Sequence, residues 1–186
     1  MRFTLVLAVV LAVAAPGVPQ ESQLVNVGET DFGAVWANIH LTRMRVEEPY
    51  LPMVIGIQNL SSGSVRIDRD AIRLVGPDGR RYPVAGLKEV RKEYDKLNVD
   101  RRIANANGIP WEVWYRQRRF RESNFFPGVM NRRGTVIDDV VLRRQDGMVD
   151  IVYFPTPRGL ALDTPIALEI AAEGWEAPLQ LRLRLE

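Results

Sequence analysis

From Met53 to Val84 the polar and apolar positions follow a period of two. Ile55 and Ile57 alternate with Gly56 and Gln58, Val65 and Ile67 with Arg66 and Asp68, and Ile72 and Leu74 continue the series. Asn59-Leu60-Ser61-Ser62-Gly63 and Gly76-Pro77-Asp78-Gly79 interrupt it with residues that accept tight-turn dihedrals, and Arg80-Arg81-Tyr82 follows as a third short strand. The pattern predicts a β-meander with one apolar face. Such a ribbon needs a second layer from the rest of the chain.

The same period recurs on both sides. Val35, Ala37, Ile39 and Leu41 alternate with Trp36, Asn38, His40 and Thr42, predicting one strand over 34–44, whereas 20–33 shows little periodicity and reads as a lead-in. Runs at 135–142, 148–154 and 166–170 are apolar-rich. In PLQLRLRLE, Leu179, Leu181, Leu183 and Leu185 face one way and Gln180, Arg182, Arg184 and Glu186 the other, the signature of a half-buried antiparallel strand. Between these groups the period changes. Leu87, Val90, Tyr94 and Leu97 share one arc of a helix ending near Asn98, with Asp100 as the cap of a further turn. Asn105-Ala106-Asn107-Gly108 breaks that helix, Pro110 suits a first helical position, and 110–122 is read as a second helix, although Trp111, Val113 and Tyr115 also alternate. Phe125-Phe126-Pro127-Gly128 ends it. Seven or eight short strands without regular strand-helix alternation predict a mainly β fold, an immunoglobulin-like antiparallel β-sandwich with a helical insertion at about 86–126.

Two further features bear on location. Met1-Arg2 precedes a 13-residue run from Phe3 to Ala15 that is apolar apart from Thr4, and small residues follow. This is a secretory signal pattern, with Ala14 or Gly17 suited to the cleavage position. As a helix it would rise about 20 Å, short of the ~30 Å hydrocarbon core. The expectation is a signal peptide and linker over 1–19, a single domain over 20–186, and a periplasmic or extracellular location. The 186 residues contain no cysteine, which excludes disulfides, a thiol nucleophile, a lipidated cysteine and cysteine metal sites.

The turn chemistry within 54–82, Asn59-Leu60-Ser61-Ser62-Gly63 and Asp78-Gly79-Arg80 followed by Tyr82, together with Pro127-Gly128 ahead of Gly134-Thr135-Val136, resembles secreted bacterial immunoglobulin-like domains of the mycobacterial immunoprotective extracellular antigen type. The resemblance covers about 40 residues. It implies fold and location, and it transfers no catalytic residue.

Candidate chemistry is sparse. His40 is the one histidine, too few for the usual zinc sites or histidine triads. Ser22, Ser61, Ser62, Ser64 and Ser123 lack a nucleophile-elbow setting. Asp68 and Asp70, Asp138 and Asp139, and Asp146 and Asp150 are possible calcium oxygens but read better as exposed charges. No catalytic residue, metal or cofactor is assigned, and the reading is of a non-enzyme.

What stands out is the distribution of charge. Residues 86–133 hold 12 Lys and Arg against six Asp and Glu, a net of +6, while the remainder has 13 against 17, a net of −4. The densest part, Arg116, Arg118, Arg119 and Arg121, lies beside Trp111, Trp114 and Tyr115. These seven residues are the candidate partner-binding set, with Trp114 and Arg118 spaced for cation-π stacking on a helix. The expected function is a non-catalytic binding or assembly module of the cell envelope. Its partner would be an anionic envelope component or an acidic protein surface, with nucleic acid disfavoured for an exported chain. The alternatives are an envelope hydrolase using paired carboxylates and a subunit of a larger envelope complex.

Overall fold

The computed structural model describes residues 24–106, 119–122, 125–126 and 136–185, with 119–122 as backbone. Its centre is an antiparallel pair, β3 (Tyr50–Asn59) with β9 (Asp146–Pro155), running from Tyr50 opposite Pro155 to Gln58 opposite Gly147. β3 is buried at every position and β9 at all but its last. That follows from its sequence: Leu51, Met53, Ile55 and Ile57 make one face apolar, and Tyr50, Pro52, Val54 and Gly56 do the same for the other. A strand apolar on both faces requires cover on both. Pro52 is tolerated because β2 (Gly33–Asn38) pairs with β3 only as far as Val54, so no neighbour there needs a donor. The Pro52 carbonyl instead accepts from Thr42 Oγ1 at 2.8 Å.

β1 (Val25–Glu29) completes one end of a five-stranded sheet ordered β1-β2-β3-β9-β7, with β7 (Arg119–Glu122) at the other. A four-stranded sheet, β11-β10-β5-β6, packs against its inner face. Here β5 is Ile72–Val75, β6 Arg81–Pro83, β10 Pro165–Ile170 and β11 Leu179–Arg184. A two-stranded ribbon, β4 (Val65–Asp68) with β8 (Asp139–Leu142), flanks them. The chain is therefore mainly β, an antiparallel sandwich with a small helical insertion, and one continuous core runs through both sheets. β11 has the predicted alternation, buried at Leu179, Leu181 and Leu183 and exposed between.

Several expectations are corrected. The meander is not one ribbon: β3 and β4 lie in different sheets, and only the β5–β6 hairpin forms as read. The reason is Asn59, which is fully buried. Its carboxamide accepts from Ser61 N at 3.0 Å and donates to Gly63 O at 2.7 Å and to Leu142 O at 3.1 Å. The turn is thereby wound toward β8, which becomes the partner of β4. The strand expected over 34–44 stops at Asn38, whose side-chain oxygen takes the His40 amide at 2.9 Å and starts α1 (His40–Met44). His40 thus sits on a helix. The lead-in contains β1, paired with β2 from Val25 opposite Asn38 to Glu29 opposite Ala34.

The four-stranded sheet carries one buried carboxylate, Glu169. Arg81 grips it with Nε at 2.8 Å and Nη2 at 3.3 Å, and Gln180 donates at 3.0 Å. The Arg81 hydrogen bonds lower the Glu169 pKa against the effect of burial. A carboxylate lowered in the folded state contributes stability above its unfolded value of about 4.5 that is lost as pH falls through the folded value. Glu169→Gln is accordingly expected to cost about 1–2 kcal/mol near neutrality and less in acid, seen as a flatter acid limb in urea unfolding across pH.

Candidate functional site

The helical insertion covers the outer face of the β3–β9 pair. It opens with α2 (Leu87–Glu93) and α3 (Leu97–Ala106). The predicted arc is real, since Leu87, Val90, Tyr94 and Leu97 are all buried, but the helix breaks at Tyr94, where φ is −137° and ψ 116°. The break directs Tyr94 inward, with its ring centroid 6.2 Å from that of Tyr50 and 5.8 Å from that of Tyr153. Its hydroxyl donates to Asp100 Oδ2 at 2.5 Å.

Asp100 is no cap. It is fully buried within α3 and also accepts from Arg45, just past the end of α1, with Nε and Nη2 each at 3.0 Å from Oδ1. One carboxylate therefore ties α1, α3 and the α2–α3 turn together over the sheet. Burial raises its pKa, against the lowering pull of Tyr94 and Arg45. Burial, reinforced by the Asp100 charge, also holds the Tyr94 and Tyr153 phenols well above their ordinary value. At the rim, Tyr50 Oη lies 3.3 Å from a carboxylate oxygen of Glu89 and of Glu93, and burial together with those charges pushes its pKa up to about 12. Lys96 pairs with Glu48 nearby.

On its far side the insertion returns through β7 (Arg119–Glu122), parallel to β9 with Arg119 opposite Asp146 and Glu122 opposite Val149. This corrects the helix expected to reach Glu122. A parallel edge partner supplies β9 with backbone hydrogen bonds on the side away from β3, which a helix could not do. Phe125 and Phe126, read as a simple terminator, are instead buried. Their amides donate to Asp150 Oδ2 at 3.0 and 3.4 Å, and the Phe126 ring lies 4.8 Å from Tyr153.

Of the candidate set, Trp111, Trp114, Tyr115, Arg116 and Arg118 lie outside the described residues, as does the signal segment. Arg119 and Arg121 fall in β7, opposite Asp146 and Met148. Of the proposed carboxylates, Asp68 and Asp139 come together as cross-strand partners on β4 and β8. Asp68 and Asp139 share Arg66 at 3.2 and 3.3 Å, Asp138 pairs with Arg69 at 2.9 Å, and Asp146 accepts from the Arg143 amide at 3.2 Å. Among the described residues no group of three His, Cys, Asp or Glu could hold a metal ion, and no helix is long and apolar enough to cross a membrane. In the sequence the Arg45–Asp100–Tyr94 cluster has one local signal, the inward phase of Tyr94.

No family model, curated protein or solved structure matches the chain.

Proposed function

We propose that the protein is an exported, non-catalytic binding or assembly module of the cell envelope. It engages an acidic or anionic partner through the basic and aromatic residues of its insertion: Trp111, Trp114, Tyr115, Arg116, Arg118, Arg119 and Arg121. The observation that carries this reading is that the insertion is held at both ends. The Arg45–Asp100–Tyr94 cluster fastens α2 and α3 before the basic segment, and β7, which carries Arg119 and Arg121, fastens its far end together with Phe125 and Phe126. Holding both ends lowers the conformational entropy lost when the segment between them docks. The local net charge of +6 on an otherwise acidic chain supplies the attraction.

The test is retention of the full-length protein in envelope fractions. Raising salt from about 0.05 to about 0.5 M shortens the Debye length to about 4 Å and is expected to release wild type. A variant with Arg116, Arg118, Arg119 and Arg121 changed to Glu is expected in the soluble fraction at every salt concentration. Equal retention of both proteins would defeat the proposal.

A further inference from the structure

α2 sorts its charges by flank. With about 100° between successive residues, Lys88, Arg91 and Lys92 fall within one arc of about 100°, Glu89 and Glu93 lie on the opposite flank, and Leu87 and Val90 form the buried stripe. The acids are engaged, each 3.3 Å from the Tyr50 hydroxyl. The bases are not. Lys88, Arg91 and Lys92 are exposed and, among the described residues, have no ion pair. The extended backbone at Tyr94 takes Asp95 out of the helical phase that would set it beside Arg91. Other neighbouring charges do not cancel the three. Asp100 is buried against Arg45, Glu48 pairs with Lys96, and the exposed Asp95 is matched in number by Arg102, exposed on α3.

What the flank lacks selects its partner. Leu87, Val90 and Tyr94 are buried, so it offers no aliphatic or aromatic anchor of the kind that centres a protein interface, and none to enter a lipid layer. Contact there is by charge alone, which suits a polymer that keeps its water. The residue types narrow the polymer further. The chain's three lysines are Lys88, Lys92 and Lys96, its other cations being arginine, and both lysines without a carboxylate partner stand on this flank. Arginine grips a carboxylate with two prongs, as Arg81 holds Glu169. Lysine presents a compact, strongly hydrated point charge on a flexible stem, which suits phosphate.

We infer that the cationic flank of α2 belongs to the partner-binding surface and takes a hydrated polymer of repeating phosphate groups. The inference rests on the proposed function, since it supplies the chemistry of the anionic partner and extends the site from the basic segment onto α2.

The probe is labelled inorganic polyphosphate, titrated into the full chain from about 0.05 to about 0.2 M salt and followed by fluorescence anisotropy. Each phosphate contact that releases a counterion steepens the plot of log K against log salt, so K88Q/R91Q/K92Q is expected to flatten it by about two. R143Q/R144Q/R182Q removes three exposed cations from elsewhere on the surface that also have no ion pair, and is expected to keep the wild-type slope. A wild-type slope in K88Q/R91Q/K92Q would overturn the inference, as would an equal loss in R143Q/R144Q/R182Q. Failure of wild type to bind polyphosphate, or equal binding of polyglutamate at the same charge, would do the same. The four-arginine reversal separates this inference from the reading beneath it. Lost envelope retention in the reversal with a wild-type slope in K88Q/R91Q/K92Q would sink the α2 surface and leave the proposed function standing. Undiminished retention in the reversal with a flattened slope in K88Q/R91Q/K92Q would keep the α2 surface and sink the basic segment.

Discussion

Gly56→Ala is expected to destabilise the protein by about 3 kcal/mol, at the upper end for overpacking by one methyl group. Gly56 lies on β3 directly opposite Trp36 on β2, and the indole crosses the glycine. A Cβ built there would lie 2.6 Å from Trp36 Cζ2 and closer still to Nε1 and Cε2. Trp36 is 3% exposed, so it cannot swing aside without disturbing its neighbours. Trp36→Ala alone should cost about 3–5 kcal/mol through lost burial and an unfilled cavity. Gly56→Ala combined with Trp36→Ala should cost little more than Trp36→Ala alone, because the alanine methyl then enters vacated space. Gly63→Ala, where a Cβ meets nothing within 4 Å, serves as the control and should stay within about 0.5 kcal/mol of wild type. Urea unfolding of the four variants gives the coupling; additive costs would mean that Trp36 and Gly56 do not share the space.

Gly56 also shows how much of the fold the sequence carried. β5, β10 and β11 are legible because each has one fully buried apolar face and a second face carrying charged residues, so period two survives in the residue types. The central role of β3 was hidden, since a strand buried on both faces has no polar side to mark its register. What failed was partner choice. β4 pairs with β8 because Asn59 reaches Leu142, 83 residues away, and no local pattern encodes that contact. α1 was missed because the alternation of apolar residues continues past Asn38, while the Asn38 side chain stops the strand with one hydrogen bond. β7 is hidden because Arg119–Glu122 is four residues long with one apolar side chain, Phe120, too short a run to set a period against the helix-start signal at Pro110.

The candidate site divides in the same way. Charge segregation is a sum over residues and can be read directly, so the basic segment was visible. What holds the insertion was not. Asp100 and Arg45 are 55 residues apart, and the same distance problem hides the Glu169–Arg81 pair of the four-stranded sheet, 88 residues apart. A buried aspartate within a helix looks, in sequence, like any exposed one. The arginines of β11 were seen as the polar half of an alternation, but that they share a face with Arg73 and Arg81 depends on strand order, which residue periodicity does not contain.

The hold on the insertion is expected to fail when Asp100 is removed. Asp100→Ala leaves the Arg45 guanidinium, 13% exposed, without its partner, and the buried Tyr94 hydroxyl without an acceptor. Breaking a buried ion pair from one side costs about 3–5 kcal/mol. Tyr94→Phe deletes one donor and should cost about 1–2 kcal/mol. The damage should be local first: amide hydrogen exchange in α2 and α3 should accelerate in Asp100→Ala while the β3–β9 amides keep their order of protection. The pH dependence has a definite sign. Because burial raises Asp100, the folded state holds this proton to higher pH than the unfolded chain, so its contribution to stability declines as pH rises through the window above about 4. Asp100→Asn should remove that slope. The raised phenols of Tyr50, Tyr94 and Tyr153 act in the same sense at the alkaline end: above about pH 10 the unfolded phenols ionise first, and stability falls as pH rises further. Glu169 has the opposite sign, losing its contribution as pH falls. Exchange in α2 and α3 that stayed at wild-type rates in Asp100→Ala would assign the hold to the apolar arc of Leu87, Val90 and Leu97 instead of to the carboxylate.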